Sequence, residues 1–83
     1  MQVLYFGWVR SKVGVSGEEI ELPAEVTDVQ TLISWLHERG GTYSEAFGDL
    51  SAIRVAVNQE MAELDTAIHT GDEVALFPPM TGG

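Results

Sequence analysis

An α+β domain, a mixed sheet packed on one main helix, is predicted by three observations. The elements read in the order β, β, α, β, short β, β; one stretch alone carries helical apolar spacing; and the first and last strands are the most apolar segments. Residues 2–9, Gln-Val-Leu-Tyr-Phe-Gly-Trp-Val, are rich in β-branched and aromatic side chains and read as a strand. Both of its faces are apolar: Val3 and Tyr5 point one way, Leu4 and Phe6 the other, as in a strand covered on both sides. Residues 11–17 supply turn residues around Val13 and Val15. Glu18-Glu19-Ile20-Glu21-Leu22 then alternates charged and apolar as a half-solvated strand, completing a first hairpin that Pro23 ends.

Thr27-Asp28-Val29-Gln30 has the form of a capping box, so a helix of about three turns is expected over residues 28–39. Val29, Leu32, Ile33 and Leu36 form its apolar stripe, Trp35 lies at the rim, and Gly40-Gly41 ends it. Residues 42–51 have no clean period; Tyr43, Phe47 and Leu50 are placed to cap the core from a loop or a short turn. Ile53-Arg54-Val55-Ala56-Val57-Asn58 is a strand, Asn58-Gln59 a turn, and Met61 sits on a short continuation. Leu64 and Ile68 are expected to anchor an irregular connection. Thr70-Gly71-Asp72 then turns the chain into the last strand, Glu73-Val74-Ala75-Leu76-Phe77.

In that strand Val74 and Leu76 share one face, Ala75 and Phe77 the other. With the first and last strands side by side at the sheet centre, Phe6, Met61 and Phe77 fall on the face away from the helix, as an apolar patch fit for a protein partner. Pro78-Pro79 stops the sheet, because two prolines fix φ and remove two backbone donors. The domain is therefore assigned to residues 1–77 and a thin, flexible tail to residues 78–83, closing on Gly82 and Gly83. An end whose last two residues lack Cβ atoms suits a terminus whose carboxylate enters another protein's active site.

With 83 residues the chain makes one domain, and 45% hydrophobic residues are enough to close a core. Cysteine is absent, which excludes disulfides, thiolate metal sites and thiol nucleophiles. A net charge of −9 argues against nucleic acid and anionic membranes and favours basic partners. Acids around the patch are expected to guide a basic channel toward the tail. No apolar run long enough to span a bilayer and no leader signal are seen, so a cytoplasmic location is expected. His37 and His69 show no metal spacing and read as surface or capping residues, while Glu18-Glu19 and the Glu60, Glu63 pair read as solvated acids. Arg10 and Arg54, at strand ends, read as exposed, with contact to a partner's acids as the alternative.

Three segments carry a family resemblance: Val3-Leu4-Tyr5-Phe6-Gly7-Trp8-Val9-Arg10, Val55-Ala56-Val57-Asn58-Gln59, and above all the run from Gly71-Asp72-Glu73 to Pro78-Pro79-Met80-Thr81-Gly82-Gly83. The chain resembles the molybdopterin synthase small subunits, within the MoaD and ThiS group of ubiquitin-like sulfur carriers. The resemblance implies a β-grasp fold and sulfur held as a thiocarboxylate on Gly83, with Gly82 beside it. It implies two partners, an E1-like adenylating enzyme and a large synthase subunit in a heterotetramer, and a chain with no catalytic power of its own. Phe6, Met61, Phe77, Pro78, Pro79, Met80 and Thr81 would meet these partners. No cofactor is expected on the chain itself, and the sequence has no Gly-x-x-x-x-Gly-Lys-Ser/Thr phosphate cradle, so ATP belongs to the activating enzyme. The alternatives are a carrier for thiamine or cysteine synthesis, a ubiquitin-like modifier joined through Gly83 to lysines, and a plain interaction domain.

Overall fold

The computed structural model describes residues 1–79. Five strands, β1 (Gln2–Tyr5), β2 (Gly17–Glu19), β3 (Arg54–Val57), β4 (Glu60–Met61) and β5 (Glu73–Phe77), form one sheet in the order β2-β1-β5-β3-β4. β1 and β5 run parallel, and every other neighbouring pair is antiparallel. The two most apolar strands thus lie together in the sheet, and the whole is an α+β β-grasp with helices on one face. α2 (Val29–His37) is the main helix; α1 (Gly7–Val13) and α3 (Gly41–Ala46) are shorter.

The core is the meeting of the sheet's inner face with these helices. Val3, Tyr5, Val55, Val74 and Leu76 point inward from β1, β3 and β5, and Val29, Leu32, Ile33 and Leu36 supply the stripe of α2. Each side chain so buried contributes about 2 kcal/mol relative to staying in water. Trp35 covers the rim as expected, with the Arg39 guanidinium stacked 4.5 Å from its ring centre.

The structure departs from expectation at several elements. β1 ends at Tyr5 and does not reach Val9, because Gly7 adopts φ +58 and turns the chain into α1. Val9 and Val13, four residues apart, are the buried face of that helix and not a strand and a turn. β1 and β2 pair antiparallel as foreseen, joined through α1 and not by a tight hairpin, and the strand of β2 stops at Glu19. The cap of α2 lies one residue later than expected: the Asp28 carboxylate accepts from the Thr31 amide at 2.8 Å, and the Asp28 amide donates to Thr31 Oγ1 at 3.1 Å. Asn58 and Gln59, with φ of 52 and 69, make the expected turn between β3 and β4. Ile68 is buried, whereas the Leu64 side chain is 39% exposed and only its carbonyl, accepting from the Gln30 amide at 2.9 Å, ties that segment to α2.

Glu18 differs most. It is on the sheet's inner side opposite Val3, and its Oε2 accepts from Tyr5 Oη at 2.8 Å and Tyr43 Oη at 2.7 Å, while Arg39 donates to Oε1 at 2.9 Å. Burial alone would raise this carboxyl; hydrogen bonds from Arg39, Tyr43 and Tyr5 outweigh it and hold it below its ordinary value. Burial and the bond to Glu18 push the Tyr5 phenol far up. Glu18 is a polar staple joining β1, β2, α2's end and α3, not a solvated acid. Glu19, on the other side of the strand, is exposed as read.

Candidate functional site

The sheet face away from the helices is where the predicted residues meet. Strand register arranges its side chains in three rows. The middle row crosses all five strands as Met61, Ala56, Ala75, Leu4 and Gly17. The row toward the end of β5 holds Arg54 opposite Phe77, with Phe6 continuing β1 beside it; the Phe6 amide donates to the Leu76 carbonyl at 3.0 Å. The row at the opposite end holds Glu73, Gln2 and Glu19. Phe6 is 48% and Met61 68% exposed, and Phe77 is half-buried. Among the described residues no helix covers this apolar band, so water reaches it directly.

Two features narrow the band into a compact surface. Gly17 has no Cβ, and one built there would lie 2.9 Å from Leu4 Cδ2, so the Leu4 side chain lies flat across the edge strand. At the other end a Cβ on Gly7 would lie 2.7 Å from Pro78 Cγ, so Pro78 rests directly on the β1–α1 turn. Trp8, 40% exposed, follows Gly7 in the first turn of α1. The root of the tail therefore leaves the sheet beside Phe6, Phe77 and Trp8.

Of the predicted site residues, Phe6, Met61 and Phe77 share this face, and Pro78 and Pro79 follow, both partly buried. Met80, Thr81, Gly82 and Gly83 lie outside the described residues. Leu4, Ala56 and Ala75 belong to the same band and were not singled out from sequence; their parity with Phe6 and Phe77 was the available signal. The acids expected around the patch do not ring its tail end, where Arg54 stands; on this face they occupy the far row. Arg54 Nη1 donates to the carbonyls of Ser51 at 3.3 Å and Ile53 at 3.1 Å, which ties the guanidinium to that corner.

His37 and His69 are exposed: His37 Nε2 lies 3.4 Å from Ser44 Oγ, and His69 Nδ1 3.8 Å from Asp72. Among the described residues no group of three His, Cys, Asp or Glu side chains could hold a metal, and no helix is long and apolar enough to cross a membrane. The arrangement offers an apolar surface with Pro78 and Pro79, the last described residues, leaving from its margin, a geometry suited to docking.

The ThiS family pattern matches residues 3–83. A molybdopterin synthase sulfur carrier subunit of Haemophilus influenzae is 32% identical over 83 residues, covering 100% of this chain and 99% of that protein. The Mycobacterium tuberculosis protein of the same name is 37% identical over 84 residues, covering 100% and 96%. Among solved structures, SAMP1 of Haloferax volcanii aligns at a TM-score of 0.66 with 25% identity, covering 100% and 98%. A complex of subunits 1 and 2 of the molybdopterin-converting factor from Helicobacter pylori aligns at 0.65 with 24% identity, covering 99% and 96%, a likeness of fold.

Proposed function

The chain belongs to the ThiS family, and from that premise we propose that it is the sulfur carrier subunit of a molybdopterin synthase. The observation that carries the reading is the exit of β5, through Phe77 and Pro78, at the margin of an uncovered apolar face. Full-length similarity to the sulfur carrier subunits of H. influenzae and M. tuberculosis supports it.

In this reading the chemistry is on Gly83. A carboxylate is a poor electrophile because its charge is shared over two oxygens, so one oxygen must first become a leaving group. An E1-like enzyme joins that oxygen to the AMP of ATP with release of pyrophosphate; a sulfur donor then displaces AMP, and Gly83 carries a thiocarboxylate. The large subunit receives the tail; the thiocarboxylate sulfur bonds to a carbon of a cyclic pyranopterin precursor in place of an oxygen substituent, and water then cleaves the Gly83 carbonyl–sulfur bond, leaving sulfur on the precursor and Gly83 as a carboxylate. Gly82 and Gly83, without Cβ atoms, let the backbone enter a channel too narrow for side chains. Pro78 and Pro79 keep the tail from pairing as a further length of strand. Phe6, Met61 and Phe77, with Leu4, Ala56 and Ala75 between them, seat the partner, and enclosure of the tail keeps water from the activated carbon. The same reading pairs two copies with two large subunits and places them in the cytoplasm.

The test is intact mass. Incubated with the activating enzyme, ATP and a sulfur donor, the chain gains the mass difference between one sulfur and one oxygen, mapped to Gly83. Unchanged carboxylate under these conditions sinks the reading, and a ladder of larger conjugates replaces it with a modifier. Adding one residue after Gly83 abolishes transfer without unfolding the domain, because the reacting carbon moves by about 3.5 Å.

A further inference from the structure

We propose that the open face docks with a polarity written in its own charges: the large subunit presents a carboxylate beside the mouth that receives the tail, facing Arg54, and cationic groups at the far end, facing Glu73 and Glu19. This rests on the function proposed above and adds to it which chemistry the partner carries where. The argument starts from register. Arg54 is opposite Phe77, at the tail end of the face, whereas Glu73 begins the same β5 strand and pairs with Gln2, which pairs in turn with Glu19. Four residues separate the two ends of β5, about 13 Å at 3.3 Å per residue. Between them is only the apolar row of Met61, Ala56, Ala75 and Leu4.

Arg54 is the one base among the strand residues of this face, in a chain with four bases in all and a net charge of −9. It pairs with no carboxylate among the described residues, and Glu63, which lines the cleft it borders, forms no ion pair with it. Two carbonyls hold its guanidinium in place, so little side-chain freedom is lost when a carboxylate approaches. Net charge and local order make opposite statements about the partner. A partner attracted by net charge alone is basic throughout its docking surface, and Arg54 would repel it. A partner matched to the ordered face is acidic at one end, and turning the domain end for end would set like charges together, directing the tail away from its channel.

Exchanging the two charges separates these statements, because Arg54→Glu with Glu73→Lys inverts the order and leaves the net charge unchanged. Dissociation constants for the purified large subunit are measured for the wild type, each single variant and the double variant. The ordered face predicts that Arg54→Glu weakens binding about tenfold, Glu73→Lys about threefold, and the double exchange at least as much as Arg54→Glu, with the differences shrinking in high salt. A double variant that binds like the wild type, or an Arg54→Glu variant that binds more tightly, overturns the inference in favour of net charge. Circular dichroism of each variant confirms the fold, both side chains being outside the core. Wild type that forms the thiocarboxylate and binds the large subunit, with variants that do not discriminate, removes this inference alone; wild type that binds no large subunit removes the function with it.

Discussion

The two faces of the sheet are made from alternate residues of the same strands and have opposite fates. Val3, Tyr5, Val55, Val74 and Leu76 are buried against the helices, while Leu4, Phe6, Ala56, Ala75 and Phe77 are partly or largely open to water. Composition does not separate them, since both are apolar; only coverage does. A small domain gains stability from every apolar side chain it buries, so an apolar face left uncovered is a surface held in reserve for another molecule. The inner face supports the fold, and under the proposed function the outer face recognises the partner.

If that division holds, substitutions one residue apart should act on different measurements. The largest effect is expected at Leu76→Ala, fully buried beneath α2's layer, which should lower unfolding free energy by about 2–5 kcal/mol in denaturant titration. Next comes Phe77→Ala, its neighbour on the other face. It should weaken binding of the large subunit by about 2 kcal/mol, roughly thirtyfold in Kd, while lowering the melting temperature far less than Leu76→Ala. Phe6→Ala should follow the same pattern with a smaller effect on stability still. A Phe6→Ala variant that melts as early as Leu76→Ala would show that the outer face is structural, and the division would fail.

The smallest effects belong to the staple at Glu18. Glu18→Gln removes the charge that two phenols and Arg39 share, and should cost about 1–2 kcal/mol. Its pH dependence has a definite sign. The folded carboxyl titrates below its ordinary value of 4.5, so the native state binds fewer protons there; the stabilisation is complete above pH 4.5 and is lost as pH falls through the folded value. Melting temperatures measured across that range should fall less steeply for Glu18→Gln than for the wild type, and parallel curves would discount the staple. Tyr5, pushed upward, acts in the opposite sense: its contribution is present below its ordinary value of 10 and declines as pH rises beyond it.

The parts that could be read from sequence were those where one period dominates. β5 alternates without interruption, the stripe of α2 repeats over two turns, and both formed where expected. α1 escaped because seven residues allow only two buried positions, Val9 and Val13, and because Trp8 and Val9 favour strands. Nothing local announced that Gly7 would take a left-handed conformation; the contact with Pro78 that rewards it comes from the other end of the chain. α3, six residues long, is below the length at which a period can be seen. Glu18 was misread on its charge, although it shares parity with buried Ile20, which was the better guide to its direction. Of the candidate site, the shared face of Phe6, Met61 and Phe77 followed from alternation. Arg54 was read as exposed, with a partner's acids as the alternative; its place opposite Phe77 needed strand pairing, which no single segment reveals.

The parallel pairing of β1 with β5 also bears on how the molecule comes into being. Every rung between them, from Gln2 and Glu73 to Tyr5 and Leu76, joins positions separated by 71 residues, so this seam is the costliest loop to close and has little to gain from local order. A nascent chain that has not yet produced residues 73–77 lacks the strand that lies between β1 and β3, and with it the middle of the sheet. Assembly of the sheet therefore waits on β5, and a copy still lacking that strand has no finished platform to offer a partner.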